Sequence, residues 1–159
     1  MKDKKICCFT GHRVIAPSDR DNIREKIRNT IEELANNGYT DFRCGGALGF
    51  DTLAALEVLR LKESFPLVRL IMYLPCRNQC SKWQLSDIKV YEAILAKADD
   101  VFYSSEFYSR SCMHERNIRL VTGADTCVAY YHEGSPGGTA FTVNYAKKND
   151  VSVINLANE

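Results

Sequence analysis

The sequence predicts an α/β fold, a mostly parallel sheet of about six strands with helices on both faces. Short apolar runs alternate with longer amphipathic stretches along all 159 residues. Glycine-rich turns follow several of the apolar runs. Parallel strands need helical crossovers, and these are right-handed almost without exception.

Each element has a local reason. A strand is expected over 5–10, broken by Gly11-His12-Arg13. Ser18 or Asp19 is placed to cap a helix running to 37, where Gly38 supplies the stop. Within it Ile23, Ile27, Ile31 and Leu34 recur at helical spacing and predict one buried stripe. A strand over 41–45 leads through glycines into a helix over 50–64. The apolar run 67–74 is a third strand, ended by Pro75, and the polar stretch 76–85 is a loop. A helix over 86–98, a short strand over 100–103, a loop over 107–111 and a helix over 112–122 follow. A strand over 126–131, a glycine-rich loop over 134–138, a helix over 139–148 and a strand over 151–156 complete the series. With no internal repeat or linker, one Rossmann-like domain over 1–159 is expected.

Composition narrows the function classes. Twenty-one Lys and Arg against twenty Asp and Glu leave a formal charge of +1, which gives no large basic footprint for nucleic acid or an anionic membrane. No apolar run approaches the roughly 18 residues of a membrane span. The start, Met1 to Ile6, lacks the apolar stretch of a signal peptide, so a cytoplasmic location is expected. Seven cysteines cannot all pair within one chain. Cys7, Cys8, Cys44, Cys112 and Cys127 read as small buried thiols, and the lone spacing Cys76-x3-Cys80 is a weak metal signal. No cofactor and no metal site are expected.

Sheets of this kind place ligands beyond the carboxyl ends of their strands. Three turns there stand out. The first is Thr10-Gly11-His12-Arg13, where Gly11 permits a sharp turn and His12 and Arg13 project toward a ligand. The second runs Gly45-Gly46-Ala47-Leu48-Gly49-Phe50-Asp51. Its glycines permit close backbone approach, and freed N–H groups at a helix start favour an anion. Asp51 fits a helix cap, a ribose-hydroxyl acceptor or a base. The third is Gly134-Ser135-Pro136-Gly137-Gly138-Thr139-Ala140, with Ser135 and Thr139 hydroxyls beside paired glycines. Two glycine-rich turns on neighbouring strands would aim at one crevice, and phosphate is the natural guest of such backbone nests. A fourth element, Met113-His114-Glu115-Arg116-Asn117, opens a helix and offers a proton donor, a base and a phosphate clamp, or simply a polar helix face.

Together these elements resemble the SLOG superfamily of DprA-like and LOG-like Rossmann-type domains, and most closely its stand-alone YpsA-like (DUF1273) family. The resemblance rests on Cys7-Cys8-Phe9-Thr10-Gly11-His12-Arg13, on Gly49-Phe50-Asp51, and on Gly137-Gly138-Thr139-Ala140-Phe141-Thr142-Val143 followed by Tyr145-Ala146. It implies a site for nucleotides or ADP-ribose-like molecules built from the glycine-rich turns. LOG enzymes release a free base from a nucleoside monophosphate, using the Arg of Met-His-x-Arg-Lys and the Glu of Pro-Gly-Gly-x-Gly-Thr-x-x-Glu. Here Met113-His114-Glu115-Arg116 keeps the first motif to its Arg, and Asn117 replaces the Lys. Pro136-Gly137-Gly138 begins the second, but Ala140, Phe141 and Asn144 stand at its later Gly, Thr and Glu. An Asn cannot take the proton that the Glu would take.

The leading expectation is therefore a protein that senses or sequesters a nucleotide-derived signal, such as an ADP-ribose or NAD derivative or a cyclic nucleotide. Arg13 and Arg116 would clamp its phosphates beside the Gly45 and Gly137 turns. The alternative is an N-glycosidase or phosphoribohydrolase that recruits Asp51 or Glu115 beside Arg116, with Glu133 a weaker choice. Single-stranded nucleic-acid binding, by analogy with DprA, lacks the positive groove it needs. Trp83, in the loop over 76–85, is a candidate lid over the crevice, or else packs on the following helix. A homodimer or higher homo-oligomer is expected from the relatives.

Overall fold

The computed structural model describes residues 4–157, so residues 1–3 and 158–159, the ends of the expected domain and the start of the segment tested for a signal peptide, lie outside it. Along the chain come β1 (Lys5–Gly11), α1 (Arg20–Asn36), β2 (Tyr39–Cys44), α2 (Phe50–Leu61), β3 (Arg69–Cys76) and α3 (Leu85–Lys97). Then come β4 (Asp100–Ser105), α4 (Arg110–Val121), β5 (Thr126–Tyr130), α5 (Gly138–Lys148) and β6 (Ser152–Asn155). All strand pairs are parallel, in the order β4-β3-β2-β1-β5-β6. The chain thus winds outward from β1 to β4, returns, and winds the other way through β5 and β6. The order reverses between β1 and β5, where open α/β sheets form their ligand crevice.

Both faces of the sheet are covered. The stripe Ile23, Ile27, Ile31 and Leu34 of α1 packs with Phe50, Ala54 and Val58 of α2 and Ile94 of α3 onto Phe9, Phe42, Leu70 and Met72. On the other face Leu120 and Val121 of α4 and Ala146 of α5 pack on Cys8 and Cys127. β1 is buried on both sides, which is why its sequence is continuously apolar instead of alternating. The cysteines are free thiols, and burial pushes the Cys7 and Cys44 thiols well above their usual range.

One buried ion cluster ties α1 to α2. Glu57 is 1% exposed and accepts from Arg24 Nε at 2.8 Å and Arg28 Nε at 3.1 Å. Burial pushes its carboxyl upward, but the bonds from Arg28 and Arg24 prevail and hold it below the usual range.

The structure corrects several expectations. Pro75 does not end the third strand, because β3 runs through it to Cys76. Pairing with β2 has stopped at Met72, and beyond it β3 pairs with β4 alone, so one side of the strand needs no donor at Pro75. Cys76 is therefore a buried strand residue and not part of a loop. A 3-10 turn over Pro17–Asp19 precedes α1, and Asp19 sits at its N-cap without a side-chain capping bond. α4 starts earlier than expected, since Ser109 Oγ accepts from Cys112 N at 3.3 Å and caps it.

Candidate functional site

The turns after β2, β1 and β5 lie side by side, as the sheet order requires. Between them and α4 is a cavity of about 340 Å3. Thr10, Gly11, His12 and Arg13 line it from β1, Ala47 and Asp51 from the second turn, and Pro136, Gly138 and Thr139 from the third. Met113, Arg116, Asn117 and Leu120 of α4 close it.

The first turn is fastened on both sides. The His12 N–H donates to Tyr130 O at 3.2 Å, and the Phe50 N–H donates to His12 O at 3.1 Å. The His12 imidazole accepts at Nε2 from the His132 N–H at 2.9 Å and stacks on the His132 ring at 5.2 Å. Accepting at Nε2 fixes the neutral tautomer with its proton on Nδ1. Burial, and then the nearby His132, hold the His12 pKa below its usual value.

Two glycines exist for these close approaches. A Cβ on Gly49, at φ +78°, would run into the carbonyls of Arg13 and His12. A Cβ on Gly11 would run into the Phe50 ring, so Gly11 supplies space for α2 and closes β1 without a sharp turn.

Asp51 and Arg116 form the charged floor. Gly49 takes the N-cap position of α2, so Asp51 is not its cap. Asp51 reaches back instead, and Oδ2 accepts from the Ala47 N–H at 3.2 Å. Oδ1 is the buried side-chain polar atom without a partner among the described residues. Burial pushes the Asp51 carboxyl up to about 6, against the opposing pull of Arg116, the Ala47 N–H and Arg13. Arg116 is 5% exposed, and burial lowers its pKa while Asp51 opposes that shift. Its Nε donates to Asn117 Oδ1 at 2.9 Å and its Nη1 to Gly45 O. Gly45 stays bare because a Cβ there would collide with Arg116 and lie 3.0 Å from Asp51 Oδ2.

The third turn leads into the N-terminus of α5. Gly137 is the N-cap of α5 at φ 115°, with no side-chain capping bond. The first N–H groups of an α-helix have no internal partners, and here Gly138 and Thr139 carry them at the cavity wall.

Most of the expected site residues converge. Thr10, Gly11, His12, Arg13, Ala47, Asp51, Met113, Arg116, Gly138 and Thr139 line one cavity, whereas Gly45, Gly46 and Gly49 belong to the second turn without lining it. Ser135 and Gly137 belong to the third turn without lining the cavity. Glu115 and Glu133 are exposed and lie outside the lining, as does Asn144. Trp83 does not reach the cavity, for it packs edge-on against Tyr91 at 5.2 Å. Asn117 and Gln79 were not anticipated. Asn117 orients Arg116, and Gln79 Nε2 donates to Gly46 O at 3.1 Å and fastens the segment before α3 to the second turn. Gln79 lies in no motif, and Asn117 ends the element that opens on Met113, at the position where LOG enzymes have Lys.

The model of the YspA SLOG family matches residues 8–155. The chain belongs to the YspA SLOG family. The UPF0398 protein BH1768 of Halalkalibacterium halodurans is 30% identical over 128 residues, covering 79% of this chain and 68% of that protein. The SPbeta prophage-derived protein YoqJ of Bacillus subtilis strain 168 is 31% identical over 140 residues, covering 79% and 81%. Among solved structures, the single-stranded DNA-binding DNA processing protein A of Helicobacter pylori superposes with a TM-score of 0.67. It is 20% identical, and the match covers 99% of this chain and 68% of that one. The structural-genomics target TM1055 gives a TM-score of 0.62 at 19% identity, covering 97% and 75%. These two likenesses show the shared SLOG-type fold.

Proposed function

We propose that this protein binds a nucleotide-derived small molecule in the cavity between β1, β5 and α4, as a sensor or a sequestering protein. The observation that carries this reading is that the uncapped α5 N-terminus and Arg116 line the same cavity. A helix N-terminus and a guanidinium together form a phosphate seat. Arg13, exposed at the mouth, adds a second cation. A volume of about 340 Å3 sits near the lower end of ligand sites. It suits a nucleoside monophosphate, or one half of a larger ADP-ribose-like molecule whose remainder extends past the mouth.

Mass spectrometry of small molecules released from gently purified protein tests this directly. A phosphorylated nucleoside derivative is the expected finding, and Arg116→Ala should lose it. Protein that releases none, and whose melting temperature is unmoved by a panel of nucleotides, would sink the proposal.

A second reading has its own observation. Asp51 offers a buried carboxylate of raised pKa beside Arg116, which is the equipment of a glycosidic hydrolase. If the released ligand, returned to the protein, is cut to a free base and phosphoribose, this reading prevails. DNA binding, known for the Helicobacter pylori neighbour, has less support here, since the cavity is small and the formal charge is +1.

A further inference from the structure

Asp51 is a costly residue for this fold. Its side chain is buried, Oδ2 is satisfied by Ala47, and Oδ1 has no partner among the described residues. Leaving a buried acceptor unsatisfied costs about 1–3 kcal/mol, and more when it is charged. The surrounding chain keeps the group nonetheless, since Gly45 remains bare to make room for Oδ2. Helix capping does not account for it, because α2 begins on Gly49. An unsatisfied carboxylate on a residue that lines a cavity is a contact that a bound molecule can complete.

Its surroundings define the missing donor. The guanidinium groups of Arg116 and Arg13 already act on this carboxylate and make the spot unfavourable for a further cation. An anion in direct contact with Oδ1 is repelled by the carboxylate, so the phosphate belongs on Arg116 and the α5 N-terminus and not on Asp51 itself. A neutral donor remains, and the sugar hydroxyls are the donors a nucleotide carries close to its phosphate. We propose that Asp51 accepts a hydrogen bond from a ribose hydroxyl of the bound molecule and thereby makes the site select ribo- over deoxyribo-ligands.

This rests on the nucleotide reading above and assigns one part of it. In this assignment the phosphate takes the α5 N-terminus and the Arg116 side of the cavity, and the sugar lies next to it over Asp51, which also lines the cavity. Oδ1 is shielded from solvent in this structure, so the hydroxyl meets it as the side chain turns toward the cavity it lines. A hydroxyl donating to the carboxylate favours the ionised form. Affinity for a ribo-ligand should therefore fall once the pH drops below about 6, where Asp51 takes up a proton. A ligand lacking that hydroxyl gains nothing from ionisation.

Calorimetric titration of the full chain with AMP, 2′-deoxy-AMP and 3′-deoxy-AMP, at about pH 8 and about pH 5, tests the proposal. One deoxy analogue should bind at least ~10-fold more weakly than AMP at the higher pH, and the gap should narrow at the lower. Asp51→Ala should abolish the preference, and Asp51→Asn should abolish its pH dependence. If neither variant folds, the ratio in the parent protein and its pH dependence decide. Equal affinity for all three nucleotides would overturn the assignment of Asp51 and leave nucleotide binding standing. No binding of AMP at millimolar concentration would overturn both.

Discussion

At the scale of single residues, the site trades stability for chemistry, and the trade has a sign. Asp51 has an ordinary pKa of 3.8 and is pushed up to about 6 in the fold. A carboxyl raised on folding penalises the native state above its folded pKa and leaves it unpenalised below its unfolded one. The penalty is on the order of 3 kcal/mol above pH 6 and disappears as the pH falls toward 3.8. Asp51→Asn should thus be the more stable protein near neutrality by about 1–3 kcal/mol. Thermal melts from acid to alkaline pH should show that advantage shrinking through the interval between the two values. An advantage that is constant across pH would mean that Asp51 is not strained by its charge. Gly49→Ala acts in the opposite direction. Its Cβ meets two carbonyls at a positive φ, so the first and second turns must part. A loss of more than about 2 kcal/mol is expected by chemical denaturation, together with loss of the bound ligand.

At the scale of elements, the ion cluster between α1 and α2 makes the opposite contribution. The Glu57 carboxyl is held below its ordinary 4.5, so the stability it confers is present above that value and is lost as acid protonates it. Glu57→Gln should cost about 1–3 kcal/mol at neutral pH, and the cost should shrink as acid protonates the carboxyl below its ordinary 4.5. Equal melting of parent and variant at neutral pH would show the cluster to be ornamental. Helix α4 depends on a smaller device. Ser109→Ala removes its cap, with an expected cost of about 1 kcal/mol. Because α4 carries Arg116 and Met113 to the cavity, the same variant should weaken ligand binding more than its stability loss alone would explain. The element boundaries show where local sequence falls short. Pro75 reads as a stop because proline lacks a donor, yet the donor is dispensable where β3 has outrun β2. The start of α4 was misplaced because Ser109 precedes a polar stretch with no apolar period to announce a helix.

At the scale of the whole molecule, the parallel sheet was legible because six apolar runs alternate with amphipathic stretches, and β1 even shows burial on both faces. The three turns were legible through their glycines, and their meeting point follows from strand order. What local patterns did not disclose is which side chains face inward. Arg116 and Glu115 are adjacent in sequence, yet one floors the cavity and the other is in solvent, because successive helix positions point about 100° apart. Trp83 was open to two placements, and its contact with Tyr91 of α3 decides for packing on the following helix. Gln79 acts through a polar contact 33 positions away that no spacing rule discloses, and Asn117 acts on its own neighbour Arg116 through a side-chain orientation that local sequence does not fix.

His12 binds the neighbouring turns through three separate atoms. The amide protons of Phe50 and His132 are therefore both held by that one residue, although they belong to different turns. Their exchange with deuterated solvent should slow together when a ligand settles against Arg13, whereas acid should lower the protection of the His132 amide alone, as His12 gains a proton and Nε2 ceases to accept while its backbone carbonyl still holds Phe50. Two amides 82 positions apart thus serve as one clock for the opening of the crevice.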